Sequence, residues 1–315
     1  MKNTTYLLSI GILCSIFLFS CRKYSTNSDA FTTYSSMDEV FSELRVNPKI
    51  VMVNVDSSNS FYGNSGTRYF FDRHAFVTAT GINVIGLVQF QVAEYLQKGD
   101  MIFSKMLPIS DNEPLLSGGE INVSAAQNGV PVYLARHNYL QANVPFKGIV
   151  PTGMDFFSGQ QINETSTVNV NWIMPTKDSS NYNAGFVEIG ADTLSIISDS
   201  LKMCNADAFI TDPNFQTFSV TATCIPSFGT NKIYGYALYD DYKGVWPLGL
   251  IGHYLNGVFT EQHVPNIPVH FAVFTLINGN FYGGVLGATP TTGSNYTVNL
   301  TEQVADSFKA HLNNL

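Results

Sequence analysis

Residues 120–134, EINVSAAQNGVPVYL, contain the pattern that decides the fold class. From Glu120 to Ala125 polar and apolar side chains alternate, as they do in a strand with one buried face. Asn128-Gly129 follows, and this dipeptide favours a two-residue hairpin turn because both positions readily adopt positive φ. Residues 130–134 then form a second run with β character. The stretch predicts an antiparallel β-hairpin.

The rest of the chain repeats this kind of pattern. From Lys49 onward, short runs rich in β-branched and aromatic residues are separated by Gly, Asn and Pro. Asn278-Gly279 marks a second hairpin, between residues 269–277 and 281–286. The chain also contains 23 Phe and 16 Tyr, and flat rings suit the pleated surfaces of β-sandwich cores. We therefore expect an all-β protein with two β-sandwich domains.

Helix is indicated in only two short segments. Residues 37–44 are compatible with a turn or two of helix before Pro48. Near the other end, Val304, Phe308 and Leu312 recur on one helical face, and Thr301 is the candidate N-cap. The sequence therefore predicts a short C-terminal helix after the second sandwich.

The chain is acidic and carries few charges. It has 16 Lys and Arg against 24 Asp and Glu, for a formal net charge of −8. Nucleic-acid-binding proteins concentrate basic residues on one surface, and this sequence has no basic cluster. The same balance disfavours electrostatic docking on an anionic lipid surface. We expect no nucleic-acid partner.

The first 21 residues have the order of a bacterial lipoprotein signal peptide. Lys2 gives a positive start, an apolar run follows, and Leu18-Phe19-Ser20-Cys21 resembles a lipobox, whose cysteine is acylated. The apolar run has about 14 residues, whereas a spanning helix needs about 20, which disfavours a plain transmembrane anchor. A non-lipidated signal peptide is the other alternative. We expect cleavage before Cys21 and a palmitate-type lipid anchor on its thiol and new N-terminus.

The residues after Cys21 refine the expected location. Arg22 stands where many inner-membrane lipoproteins have aspartate, so the outer membrane of a Gram-negative bacterium is favoured. Arg22-Lys23 also lacks the acidic run that exports lipoproteins to the surface in some groups, which slightly favours the periplasmic face.

Two cysteines remain in the mature chain, Cys204 and Cys224. The turn-rich stretch 211–214 lies midway between them, so a hairpin turning there would place the thiols nearly opposite each other. In an oxidising envelope compartment such a pair forms a disulfide. The alternative is two buried free thiols.

Residues from about Lys49 to Asn143 resemble a ZU5-like β-sandwich domain of bacterial envelope lipoproteins. Turns and core positions carry the match: Gly66-Thr67, Phe76, Gly81, Val84, Gly86, Val88, Val92, Glu94-Tyr95, 115–119 and 125–129. Downstream, residues 155–159 and 171–172 resemble the connector of that family, and residues 203–209 resemble the segment that opens its second half. The resemblance implies an adhesive, structural or recognition role in a largely uncharacterised family.

These observations predict a linear domain organisation. We expect a signal peptide over 1–20, a lipidated tether over 21–47, a ZU5-like β-sandwich over 48–147 and a connector over 148–200. An immunoglobulin-like β-sandwich with the C-terminal helix then occupies 201–315.

One segment has the composition of a sugar-binding platform. Tyr239, Asp240, Asp241 and Tyr242 are consecutive, and Trp246 is nearby. Aromatic faces stack on the apolar faces of sugars, while carboxylates accept hydroxyl protons. The same residues also occur on exposed loops of any Tyr-rich sandwich.

Catalytic and metal-binding patterns are weak. Gly63-Asn64-Ser65-Gly66-Thr67 brackets a serine with glycines, but no histidine precedes it as in chymotrypsin-like proteases, so a turn is the better interpretation. His253, His263 and His270 have spacings that match no usual metal-ligand pattern. We expect no enzyme activity, cofactor or metal.

The sequence therefore favours a non-enzymatic, membrane-anchored envelope lipoprotein that acts as a structural or protein-interaction module. The alternative is a glycan-binding lipoprotein of a polysaccharide-uptake system. A flat surface with a bare apolar patch would favour a protein partner, and an exposed aromatic platform would favour a glycan.

Overall fold

The structure is a computed structural model of the 315-residue chain. It describes residues 32–146, 150–162, 168–175, 185–210, 214–249, 253–254 and 256–315. The expected signal peptide, Cys21 and turn residues 211–213 lie outside the described residues. Among the helices in the described part of the chain, none combines the length and apolar composition that crossing a bilayer requires.

The first sandwich uses strands from Lys49 to Phe209. They are β1 (Lys49–Asn54), β2 (Ser60–Tyr62), β3 (Arg68–Phe71), β4 (Phe76–Val77), β5 (Leu87–Tyr95), β6 (Ile109–Ser110), β7 (Glu113–Gln127), β8 (Val130–Pro131), β9 (Tyr133–Leu134), β10 (Leu140–Pro145), β11 (Asp155–Gln161), β12 (Val170–Ile173), β13 (Gly185–Ile189), β14 (Thr193–Ser198) and β15 (Met203–Phe209).

Two antiparallel sheets form this sandwich. The large sheet has the order β1-β5-β7-β15-β11-β12, with β6 and β8 pairing alongside β7. The small sheet has the order β13-β14-β10-β3-β2, and β4 pairs separately with β9. Alternate side chains point into the space between the sheets, so each strand contributes every second residue to the core. The core includes Phe61, Tyr69, Phe90, Ile121 and Val144.

The predicted hairpin of residues 120–134 is confirmed. β7 pairs with β8 so that Gln127 lies opposite Val130. Asn128 and Gly129 connect them with φ of 51° and 79°, the left-handed values that a type I′ turn requires at both positions.

The structure divides the chain differently from the expected domain plan. Residues 148–200, expected to be a connector, supply β11 and β12 to the large sheet and β13 and β14 to the small sheet. β15, expected to open the second domain, lies between β7 and β11 in the large sheet. Open edges of the two sheets pair with these later strands, which local sequence patterns do not reveal.

The second sandwich follows and ends in a helix. Its strands are β16 (Phe215–Cys224), β17 (Ile233–Tyr239), β18 (Val245–Pro247), β19 (His253–Tyr254), β20 (Val258–Pro265), β21 (Val269–Ile277), β22 (Asn280–Ala288) and β23 (Asn295–Glu302). The helices of the chain are α1 (Met37–Leu44), α2 (Lys98–Ser104) and α3 (Ala305–Asn313).

One continuous sheet folds over to make the second sandwich. Its order is β18-β17-β21-β22-β23-β16-β20, with β19 beside β17. β23 runs parallel to β16 but pairs antiparallel with β22 over only Tyr282 and Gly283. Rings from the two layers then meet: the Phe218 centroid on β16 lies 5.4 Å from that of Phe271 on β21. The all-β sandwich fold with a C-terminal helix is therefore confirmed.

The second predicted hairpin and the C-terminal helix form close to their expected positions. Asn278 and Gly279, with φ of 53° and 85°, join β21 to β22. Phe308 and Leu312 of α3 are buried. The expected cap is wrong, because the N-cap residue is Val304, which makes no side-chain cap hydrogen bond, and Thr301 is part of β23.

Helices α1 and α2 pack at the junction of the two sandwiches. Phe41 of α1 and Phe103 of α2 both contact Phe274 of β21, with centroid separations of 6.1 and 5.4 Å. The same apolar cluster includes Trp172 and Phe157 from the outward face of the large sheet. This shared core joins the described residues of both sandwiches into one compact unit.

The expected tether ends earlier than residue 47. Tyr34 is buried and donates its backbone N–H to Gly279 O at 2.8 Å, and α1 buries Met37, Val40, Phe41 and Leu44. These contacts place residues 34–44 in the folded body, because the apolar stripe of α1 covers the junction.

The expected disulfide is wrong. Cys204 and Cys224 are free thiols in strands β15 and β16, which belong to different sheets. The hairpin that would have joined them does not form because β15 pairs with β7 and β11, whereas β16 pairs with β20 and β23.

We predict that the two thiols differ in reactivity without prior reduction. Burial raises the pKa of Cys204 to about 12, whereas Cys224 is only partly buried. Because the thiolate is the reactive form, iodoacetamide should modify Cys224 in the native protein and Cys204 only after denaturation. Peptide mapping by mass spectrometry, with no reductant at any step, measures the alkylation of the Cys204 peptide and of the Cys224 peptide separately. If neither cysteine is alkylated in denaturant, the two thiols are joined in a disulfide, and the free-thiol assignment is wrong.

Candidate functional site

The aromatic half of the predicted platform is buried. Tyr239 ends β17 and Trp246 lies in β18, with exposed fractions of 0% and 3%. β17 lies between β18 and β21, and all of its residues are buried. The predicted stacking platform therefore does not form, because both faces of these strands are covered.

The polar half of the platform forms a tight turn between β17 and β18. Tyr239 donates its backbone N–H to Gly244 O at 3.1 Å, which closes residues 240–243 into a loop. Gly244 is required for this approach, since a Cβ there would lie 2.2 Å from the Tyr239 ring. Asp240, Asp241 and Tyr242 are brought together with Lys243 at the wall of a cleft.

This cleft lies between the two sandwiches and has a volume of about 630 Å³. That volume falls within the range of small-molecule sites, roughly 300–1,000 Å³. Segments that are far apart in the sequence, from both sandwiches, line it, and no local sequence pattern predicts this. The lining consists of Ser65, Leu96, Gln97, Lys98, Ser117, Pro145, Phe146, Pro151, Asp240, Asp241, Tyr242, Lys243, Asn313 and Leu315.

Lys98 is a structural cation in this cleft. It begins α2 and is buried, and its Nζ donates to the carbonyl oxygen of Tyr239 and, at 3.0 Å, to an oxygen of Leu315. Burial lowers the pKa of Lys98 to about 8, although the nearby carboxylates of Asp240 and Asp241 favour its charged form. Lys98 therefore ties α2 to the second sandwich.

Lys243 has a different environment. Its Nζ lies 4.9 Å from the centroid of the Phe146 ring, in cation–π geometry. Burial lowers the pKa of Lys243 below its ordinary value. Among the described residues, no carboxylate lies within ion-pair distance of this amine.

Asp240 is engaged by a histidine on the next strand. His270 Nδ1 lies 2.6 Å from Asp240 Oδ1, and both side chains are roughly one-third exposed. His263 contacts Glu261 instead, at 3.1 Å. In the described part of the chain no group of three or more metal-ligating side chains converges.

A buried polar network lies beneath the cleft. Ser117, one of the lining residues, donates its hydroxyl to Asn205 Oδ1 at 3.0 Å, and Asn205 Nδ2 donates to Asp207 Oδ2 at 2.6 Å. Glu120 pairs with Asn205 across β7 and β15 and is fully buried. Neither carboxyl oxygen of Glu120 has a hydrogen-bond partner within the described residues.

Burial dominates the acid–base behaviour of this network. It raises the pKa of Glu120 well above its ordinary value, and the neighbouring Asp207 raises it further. Burial likewise raises the pKa of Asp207, against the opposing hydrogen bonds from Ser117 and Asn205. Burial therefore favours the neutral form of both carboxyls at pH values where exposed acids are ionised.

Ser65, the serine between glycines, belongs to a loop that the buried Glu94 holds in place. Ser65 donates its backbone N–H to Glu94 Oε2 at 2.7 Å, and Tyr69 donates its hydroxyl to Glu94 Oε1 at 3.1 Å. A Cβ at Gly63 would lie 2.2 Å from Glu94 Oε1, so a larger residue there would displace the Glu94 carboxylate from these hydrogen bonds. The local pattern thus reflects a structural turn, whose Ser65 also lines the cleft.

Comparisons with protein-family models, curated proteins and solved structures find no match to this chain. The ZU5-like resemblance of residues 49–143 therefore stays a prediction.

We predict that Glu120→Gln flattens the pH dependence of stability above about pH 4. The native state keeps the Glu120 proton, whereas the unfolded chain releases it near pH 4.5. The wild type therefore loses stability as pH rises, by up to about 1.4 kcal/mol per pH unit for each such carboxyl, until the native pKa is reached. The variant removes one of these contributions. Urea unfolding from pH 4 to 8 measures the difference.

Glu113→Gln is the matched control, since Glu113 is exposed at the start of the same strand. It should leave the slope unchanged. Equal slopes for wild type and Glu120→Gln would show that Glu120 is ionised in the native protein.

Proposed function

We propose that this protein is a non-enzymatic envelope lipoprotein that serves as a structural or protein-interaction module. Its proposed anchor is a lipid on Cys21, in the outer membrane of a Gram-negative bacterium and on the periplasmic face. The observation that supports an interaction role is an exposed apolar surface on the outward side of β1 and β5. We call this surface the β1–β5 face, defined by Ile50, Met52, Ile85 and Leu87.

Strand register brings these residues together. Ile50 and Met52 alternate along β1 and point outward, and Leu87 lies opposite Asn54 on the same side. The Gln127 side-chain amide donates to the carbonyls of Ile85 and Leu87 and so holds Ile85 beside the start of β5. The four apolar side chains are 55–65% exposed.

The edge of the sheet beside this face lacks the usual protection. β1 ends the strand order of the large sheet, and within the described residues no further strand pairs with it. Edge strands are usually protected by outward-pointing charges, but β1 presents Ile50, Met52 and Asn54 outward. Lys49 Nζ is instead occupied by Gly63 O at 3.1 Å. An edge with free backbone groups and apolar side chains suits a partner that adds a strand.

The burial of Tyr239 and Trp246 removes the feature on which the glycan alternative depended. An uncharged apolar surface is the kind that associates with protein. These observations favour a protein partner over a polysaccharide on the exposed surfaces of this chain.

We predict that Cys21→Ala releases the protein from membranes. Without the acylated thiol no lipid is attached, and a single-residue change then removes the anchor. Incorporation of labelled palmitate and the partition of the protein between membrane and soluble fractions test this in cells. Cys224→Ala is the matched control and should retain both label and membrane association. Membrane-bound, labelled Cys21→Ala would contradict the proposed anchor.

We predict that a photo-reactive amino acid at position 52 forms a discrete adduct with an envelope protein in intact cells. Ile189 provides the matched position, because it is equally exposed, at 55%, and ends the edge strand β13 of the small sheet. A charge at position 50 should disrupt the contact. Ile50→Lys should therefore lower the affinity for the partner, and with it the adduct yield, about tenfold, which corresponds to about 1.4 kcal/mol of binding free energy.

The wild-type fold should persist in Ile50→Lys, since exposed substitutions change stability by about 0.5 kcal/mol or less. Equal adducts from positions 52 and 189, or an adduct that Ile50→Lys leaves intact, would contradict an interaction at the β1–β5 face.

A further inference from the structure

The cleft between the sandwiches contains one cation whose charge the described residues do not compensate. Lys243 lines the cleft, and its Nζ lies 4.9 Å from the centroid of the Phe146 ring. Cation–π attraction is worth about 0.5–2 kcal/mol, much less than the cost of removing an ammonium from water. The amine retains hydrogen-bond donors for a group that enters the cleft.

The other charged groups of the cleft are already engaged. Lys98 Nζ donates to Tyr239 and Leu315, and it is the cation that the two aspartates influence. Asp240 contacts His270 at 2.6 Å. Asp241 is exposed at the rim, and no hydrogen bond or ion pair within the described residues occupies its carboxylate. The cleft thus presents one available cation and, apart from it, one available carboxylate.

The walls between these two groups are mixed. Phe146, Pro145, Pro151 and Leu96 provide apolar surface, while Gln97 and Asn313 provide side-chain amides. A site of this kind suits a compact ligand with one acidic end, a partly apolar body and several hydroxyl groups.

We propose that this cleft binds a small hydroxylated organic acid, whose carboxylate accepts hydrogen bonds from Lys243 and whose hydroxyls donate to Asp241. The ligand carboxylate lies at the inner wall, beside the Phe146 ring, and the hydroxylated end lies toward the rim. Asp240 and Asp241 select against phosphate and other multiply charged anions by repulsion. The lowered pKa of Lys243 agrees with an amine that is shielded from water and has no anionic partner among the described residues. The site is separate from the β1–β5 face and does not depend on it.

Binding can be tested on the full-length protein with simple acids and their neutral counterparts. The probes are acetate, lactate, glucuronate and galacturonate, with glucose and galactose as the uncharged matches of the two uronates. We expect a uronate to bind with a dissociation constant in the millimolar range or tighter, about −4 kcal/mol or better, and its neutral sugar to bind not measurably. Titration calorimetry and NMR shifts measure both.

Substitutions identify the residue that binds the ligand carboxylate. Lys243→Met should weaken uronate binding about tenfold or more, as expected when a charged hydrogen-bond donor is lost, and Lys243→Arg should retain most of the affinity. Lys202→Met is the matched control, because Lys202 also lies over a ring, 5.6 Å from the Phe156 centroid, but outside this cleft. It should bind as the wild type does.

A measurement on the wild type avoids any effect of substitution on folding. At a limiting concentration of acetic anhydride, bound uronate should protect Lys243 from acetylation and leave Lys202 unchanged, as read by peptide mass spectrometry. The proposal is overturned if no acid binds at about 50 mM, well above the millimolar range expected for a built site. It is also overturned if glucose binds as well as glucuronate, if phosphate binds more tightly than every acid, or if Lys243→Met leaves affinity unchanged.

Discussion

The large sheet carries large aromatic rings on both of its faces, and the rest of the architecture depends on burying those rings. Its inward face packs on the small sheet through Phe90 and Ile121. Its outward face carries Phe157 and Trp172, and each such ring gains about 1.5–3 kcal/mol only if it leaves water. Helices α1 and α2 and the second sandwich provide that cover. The two sandwiches are therefore parts of one folded unit, and the polar network of Glu120 and Asp207 is buried as a consequence.

Local chemistry made part of this fold predictable. Asn128-Gly129 and Asn278-Gly279 specify their turns through positive φ, so both hairpins could be located from two residues each. Pairing between distant segments could not be predicted in this way. β15 is inserted between β7 and β11, and this placement separates Cys204 from Cys224 and makes strands of the expected connector. α2 also escaped prediction, since it has only seven residues and includes a glycine.

The candidate site was predictable only in part, and for a related reason. Asp240, Asp241 and Tyr242 were identified from their composition, and they do line the cleft. Tyr239 and Trp246 were misassigned because an aromatic residue beside a turn has the same sequence signature whether or not another layer covers it. Lys98 and Lys243 are 145 positions apart and meet only where the two sandwiches adjoin. The cleft lies where the two sandwiches cease to pack against each other, so its position follows from the extent of their shared core.

The first described contacts of the chain also determine how mechanical load enters the fold. Tyr34 bonds to the Gly279 turn of the second sandwich, and α1 follows directly into the junction beside Phe103. Tension applied to the residues that precede Tyr34 is therefore transmitted first to the turn between β21 and β22, and then through α1 to the junction of the two sandwiches. Peeling α1 away would expose the Phe103 and Phe274 rings, which Phe41 contacts at the junction. The junction beside α1 is consequently a part of the molecule that a pull from the N-terminal side loads directly.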